Sequence, residues 1–382
     1  MIRLVNSLIL LACILCATVS TPVSTPTVLS VPFRKKVSGR TRSLKALIAR
    51  DLSRFSVDAA AAVGSAPATN EDDTYVVVTK IGAQNFELIV STGSGNTWVG
   101  SGATRYVGGT TSSLKQANIS SSGTQFTDTA VIAGLSISQQ SFGNASRSSG
   151  FEGVDGVIGL GPVVLTEDTV SGLATVPTVL DNLFLQGTIP TEVLGVSFAP
   201  ESGADFNDIN GELTFGGTDS TKFVGEITFV GKTTTSPYSD FWGIAVTSIT
   251  YRGVTIGAAA NAAVDTGTTL IYIPTIVYNT FAVASGGKTD PETGLLTWTA
   301  LPTANLEFNI GGVAFTLTPS QFTIPAAQYA NFGLAPGKFY GWISDGGNVT
   351  ANINFVFGQK FLENYYSVYD TTNNRLGLAT RA

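Results

Sequence analysis

Val90-Ser91-Thr92-Gly93-Ser94 and Val264-Asp265-Thr266-Gly267-Thr268 repeat one five-residue pattern, 174 residues apart. Apolar residues follow each copy, Thr97-Trp98-Val99 after the first and Leu270-Ile271-Tyr272-Ile273 after the second. Each copy therefore reads as a Thr-Gly turn between strands. Their spacing is about half of a body of roughly 320 residues, which points to an internal duplication into two similar halves.

The flanking sequence has β texture throughout. Tyr75–Thr79, Phe86–Val90, Gly211–Gly217, Leu306–Ile310 and Tyr365–Tyr369 are short β-branched or aromatic runs. Gly, Ser, Asn and Thr clusters separate them. Helical patterns are few, with Pro177–Leu185 and Ile276–Ala284 the best. The expectation is an all-β, mostly antiparallel protein.

Composition narrows the chemistry. The 382 residues contain no His, and the only two Cys are Cys13 and Cys16. Ser-His-Asp and Cys-His catalysis are excluded, as are His/Cys zinc sites. Carboxylates, hydroxyls, Lys, Arg and Tyr remain, and neither a cofactor nor a metal is expected.

Residues 1–20 read as a signal peptide, with Arg3 ahead of the apolar run Leu8–Leu15. The run is too short to span a bilayer, so export rather than a membrane anchor is expected. Residues 21–60 carry eight basic side chains, Arg34, Lys35, Lys36, Arg40, Arg42, Lys45, Arg50 and Arg54, against Asp51 and Asp58. Removing positions 1–60 leaves 12 of the 21 basic and 25 of the 27 acidic residues, a balance of −13. A basic leader on an acidic body reads as a detachable prosegment held by opposite charge. Nucleic acid is not an expected partner of so acidic a body.

Asp265-Thr266-Gly267-Thr268-Thr269 resembles the second catalytic loop of the pepsin family of aspartic endopeptidases, in particular the secreted fungal type. Gly153–Gly161 is similar to the segment that crosses behind the first loop in that family. Gly211–Gly217 with Lys222–Gly225, Phe241–Ile244, and Phe361–Asp370 with Arg375–Ala379 match further family segments. The resemblance implies a bilobal pepsin-like fold, two β-barrel-like lobes with a peptide-binding cleft between them. It implies an N-terminal lobe at 61–220 and a C-terminal lobe at 221–382. It also implies a secreted monomer that binds extended peptide or protein substrates and, as a zymogen, its own prosegment.

In the family each lobe supplies one Asp of a proton-sharing pair. Two carboxylates about 3 Å apart cannot both ionise, so one activates water while the other polarises the scissile carbonyl. Here the first position is Ser91, and Asp265 is left as the single acid. A hydroxyl cannot carry the shared acidic proton. Losing one acid/base partner costs about 10²–10⁴ in rate. The flap that closes the family's cleft is also altered. The strand Ser122–Thr129 is recognisable, yet Gln116 falls where the tip Tyr is expected, and Trp98 has no evident partner.

By the same resemblance Thr92 and Thr266 tie the lobes together, Gly93 and Gly267 allow the tight turns, and Ser94 and Thr268 support the catalytic positions. The expected function is that of a pepsin-family protein with impaired or absent peptide hydrolysis that still binds peptides. The alternatives are an active acid endopeptidase and a non-enzymatic inhibitor or binding protein on the same scaffold. Ser91 as a nucleophile has no base and no Gly-x-Ser-x-Gly elbow. Asn118, Asn144 and Asn348 head Asn-x-Ser/Thr sequons, acceptable glycan sites on an exported chain.

Overall fold

A computed structural model describes residues 28–37, 43–55, 73–108, 115–118, 122–148, 150–151, 153–201, 209–348 and 352–382. The expected signal peptide and the Ala60 boundary lie outside them. The first half comprises β1 (Leu29–Val37), α1 (Leu44–Ser53), β2 (Asp73–Ile81), β3 (Gln84–Ser91), β4 (Trp98–Val99), β5 (Lys115–Asn118), β6 (Ser122–Ile132), β7 (Leu135–Arg147), β8 (Gly156–Gly159), α2 (Val179–Leu185), β9 (Val193–Ser197) and β10 (Gly211–Phe215).

Period-two patterning decides which faces are buried. Tyr75 and Val77 enter the main core, Val76 packs on the opposite face with Ile89, Trp98 and Phe151, and Val78 is exposed. β2 pairs antiparallel with β3 and, at its far end, with β6, which curls the first lobe into a barrel-like body. β1, from the basic leader, is a full member of the sheet. It pairs with β10 through Leu29–Phe33 and with β2 through Arg34–Val37.

The second half begins with β11 (Phe223–Gly231), β12 (Gly243–Val246), β13 (Ser248–Tyr251), β14 (Val254–Gly257), β15 (Ala260–Val264), β16 (Ile271–Ile273) and α3 (Thr275–Ser285). β15 lies between β12 and Val356–Phe357 in a five-stranded sheet, and β13 and β14 join Leu306–Ile310 and Val313–Leu317 in a four-stranded one. The chain ends by crossing back. Tyr365–Asp370 pairs with β9, and Arg375–Arg381 pairs with β11, so a continuous 13-stranded sheet joins both halves.

The two expected helices form with readable ends. Thr178 and Asp181 make a reciprocal capping box at the start of α2, and Gly286, at φ 74°, closes α3 in the left-handed conformation that favours glycine. The sequence patterning did not predict α1.

Candidate functional site

Both echo segments sit at the ends of strands whose backbone continues into a parallel neighbour. β3 runs parallel to β8, and Leu160 N–H donates to Ser91 O at 2.8 Å. β15 runs parallel to Val356–Phe357, and Asp265 N–H donates to Phe357 O at 3.1 Å. The two turns therefore arise from the same local topology and meet face to face.

Their threonines interlock. Thr92 N–H donates to Thr266 Oγ1 at 3.0 Å, and Thr266 N–H donates to Thr92 Oγ1 at 3.1 Å. Each hydroxyl then donates across to the opposite strand, Thr92 to Val264 O at 3.2 Å and Thr266 to Val90 O at 2.8 Å. Both side chains are fully buried. In that dry setting a donor left without its acceptor is costly, so the reciprocal set fixes the relation of the two turns. Gln359, which the sequence reading did not single out, adds a bond from Nε2 to Thr266 O at 2.8 Å.

Asp265 is fully buried and every lone-pair direction it offers is engaged. Oδ1 accepts from Gly93 N–H at 2.7 Å and Gly267 N–H at 2.8 Å. Oδ2 accepts from Thr268 Oγ1 at 2.6 Å and pairs with Arg54 Nη1 at 3.0 Å. Glycine at 93 is needed for this approach, because a Cβ there would stand 2.5 Å from the Asp265 carboxyl carbon. Ser91 occupies the matching place on the first turn. Its Oγ donates to Ser94 Oγ at 3.0 Å and accepts from Arg54 Nη2 at 2.7 Å. All eight loop residues of interest, Ser91, Thr92, Gly93, Ser94, Asp265, Thr266, Gly267 and Thr268, are thus in one cluster.

Arg54 is the contribution that motif reading missed. It follows α1, whose Leu44 and Leu47 are buried and whose Asp51 is fully enclosed. Asp51 Oδ2 accepts from Thr269 N–H at 3.1 Å and Tyr272 Oη at 3.2 Å, while Arg50 pairs with Asp51 Oδ1 at 3.0 Å. Enclosure beside that carboxylate pushes the Tyr272 hydroxyl well above the ordinary tyrosine range. Phe55 packs on Phe241 with ring centres 5.5 Å apart. The apolar spacing Leu44, Leu47, Ile48 and Leu52 was the available signal for this helix.

Beside the two turns lies a cavity of about 170 Å³, lined by Ile89, Trp98, Phe151, Leu165 and Phe241, with Arg50 and Arg54 at its wall. Trp98 packs edge-on against Phe151 with ring centres 4.8 Å apart. Tyr106 is withdrawn into the core between Phe126 and Phe142, where its hydroxyl donates to Asp128 Oδ2 at 2.7 Å. Gln116 lies on β5, paired in register with Thr124 of β6.

The three sequons differ in setting. Asn348 is exposed on the turn after Gly347. Asn144 is in register with Thr124 inside the β6–β7 ladder, and its Oδ1 is buried without a hydrogen-bond partner. Asn118 ends β5. Among the described residues there is no cluster of metal-ligating side chains, and no helix is long and apolar enough to cross a membrane.

Residues 74–381 match the family model described as eukaryotic aspartyl protease. The chain is 44% identical to polyporopepsin of Irpex lacteus over 334 residues, which covers 84% of this chain and 97% of that protein. It is 29% identical to gastricsin of Cavia porcellus, over 78% of this chain and 77% of the relative. The crystal structure of the aspartic proteinase from Irpex lacteus superposes with a TM-score of 0.78 at 39% identity, covering 93% of this chain and 98% of that one.

Proposed function

The chain belongs to the pepsin family of eukaryotic aspartyl proteases, and from that premise we propose that it is an exported, zymogen-like member whose peptide-bond hydrolysis is strongly reduced because Ser91 holds the first catalytic position. Proteins of this family bind peptide substrates in the cleft between their lobes, and the paired turns described above lie in that cleft. The observation that carries the reading is the pairing itself: two equivalent turns, one presenting the Asp265 carboxylate and the other the Ser91 hydroxyl.

Hydrolysis asks the site for a base that takes a proton from water and an acid that donates to the scissile carbonyl. Asp265, once it has taken the proton, has no second carboxyl to hold the carbonyl oxygen. The Ser91 hydroxyl is a neutral donor with no acidic proton to give. Residues 21–60 act as the prosegment, with Arg54 filling the space between the turns and β1 inserted in the sheet. With catalysis so reduced, their removal falls to another protease.

The test is cleavage of denatured casein at acid pH by the purified chain, by Ser91→Asp and by Asp265→Ala. Ser91→Asp is expected to gain about 10²–10⁴ in rate over the unmodified protein. Rapid cleavage by the unmodified protein, abolished by Asp265→Ala, would falsify the reading.

A further inference from the structure

The head group of Arg54 occupies a slot with the dimensions of a guanidinium. Nη1 lies 3.0 Å from Asp265 Oδ2, and Nη2 donates to Ser91 Oγ at 2.7 Å and to Ser94 Oγ at 3.2 Å. The floor is Gly267. A Cβ at that position would stand 2.8 Å from Nη1 and 2.9 Å from Nη2, so the planar fork fits only because the side chain is absent. The slot thus offers one carboxylate and two hydroxyls, drawn from both turns, to two nitrogens held at the fixed separation of one guanidinium.

We propose that, when the segment carrying Arg54 is gone, this slot binds the arginine side chain of another extended peptide, so that the cleft is a receptor site for arginyl peptides. This rests on the reading of Ser91 given above. One buried carboxylate balances one guanidinium charge. The planar fork gives two nitrogens that a carboxylate and hydroxyls engage together. A lysine ammonium has a single nitrogen and cannot fill both Nη positions. The neighbouring cavity walled by Ile89, Trp98, Phe151 and Leu165 would take an apolar side chain next to that arginine.

The test uses the full chain with Arg54→Ala, and in parallel Arg54→Gln in case the smaller residue does not fold. Methylguanidinium and methylammonium are titrated while thermal unfolding is followed. Methylguanidinium is expected to raise Tm saturably, and methylammonium to bind about tenfold more weakly or worse, the loss of one charge-assisted hydrogen bond. Adding Asp265→Asn to either variant is expected to abolish the response. Equal responses to methylguanidinium and methylammonium, or a response that survives Asp265→Asn, overturn the proposal. The casein assay is run on the same preparations of unmodified chain. Rapid cleavage there overturns the reading of Ser91 and leaves the binding result to be judged by itself.

Discussion

Gly93 and Gly267 are constrained by what faces them rather than by their own backbone angles. The space a methyl group would need at 93 is filled by the Asp265 carboxyl group, and at 267 by Ser91 Oγ and the Arg54 head. Gly93→Ala is expected to push the carboxylate off the Gly93 and Gly267 amides and to cost about 1–3 kcal/mol, since buried acceptors lose their donors. A urea midpoint unchanged from the parent would contradict this. The sequons can also be separated at this scale. Asn144 lies within the β6–β7 pairing with its side-chain oxygen buried, while Asn348 is exposed on its turn. Glycopeptide mapping of chain recovered from a fungal secretory host is expected to find Asn348 modified and Asn144 bare. Occupancy at Asn144 in folded protein would show that the ladder tolerates it.

At the scale of elements, the informative comparison is between the paired turns and α1. The turns were legible because each is a local pattern, a Thr-Gly pair after an apolar strand, and because the pattern occurs twice. Strands such as Leu306–Ile310 were legible for the same reason, alternation within five residues. α1 carries its apolar spacing locally, but what its end docks onto is not local: Asp51 and the following Arg54 have partners Thr269, Tyr272 and Asp265 more than 200 residues away in sequence. No window of neighbouring residues contains that information, and Arg54 reads as one of eight leader cations until the fold brings Asp265 to it. The withdrawal of Tyr106 into the core escaped notice likewise, because Asp128 and Phe142 become its neighbours only through the β6–β7 hairpin. The docking of α1 is testable. Leu47 is fully buried, and Leu47→Ala is expected to cost about 2–5 kcal/mol of packing. Most of it should appear as faster amide exchange in residues 44–55, with the rest of the chain unchanged. Uniform acceleration over the whole chain would mean that α1 is part of the global folding unit and not a separable plug.

At the scale of the molecule, the acidic body and one carboxyl pair set how stability responds to pH. Burial, reinforced by a hydrogen bond and charge from Asp181, raises Glu192 to about 8. Asp181 is the third residue of α2 and Glu192 immediately precedes β9, so the pair joins a helix to a strand of the sheet that links both halves. The folded chain therefore keeps a proton on Glu192 over a range where the unfolded chain has lost it. Bound protons in the folded state in excess of the unfolded state make stability fall as pH rises. The contribution is complete below the ordinary glutamate range, declines between about pH 5 and pH 8, and is gone above that. Self-repulsion of a body with a balance of −13 acts in the same direction, so the slope of the parent protein alone does not isolate the pair. Glu192→Gln does. The amide stays a donor to Asp181 but cannot ionise, and it leaves the rest of the charge in place. Its thermal midpoint is expected to match the parent in acid, to exceed it increasingly between about pH 5 and pH 8, and to keep a constant lead above that. Parallel pH profiles for the two proteins would show that the proton is not shared across this junction and that general repulsion accounts for the whole slope.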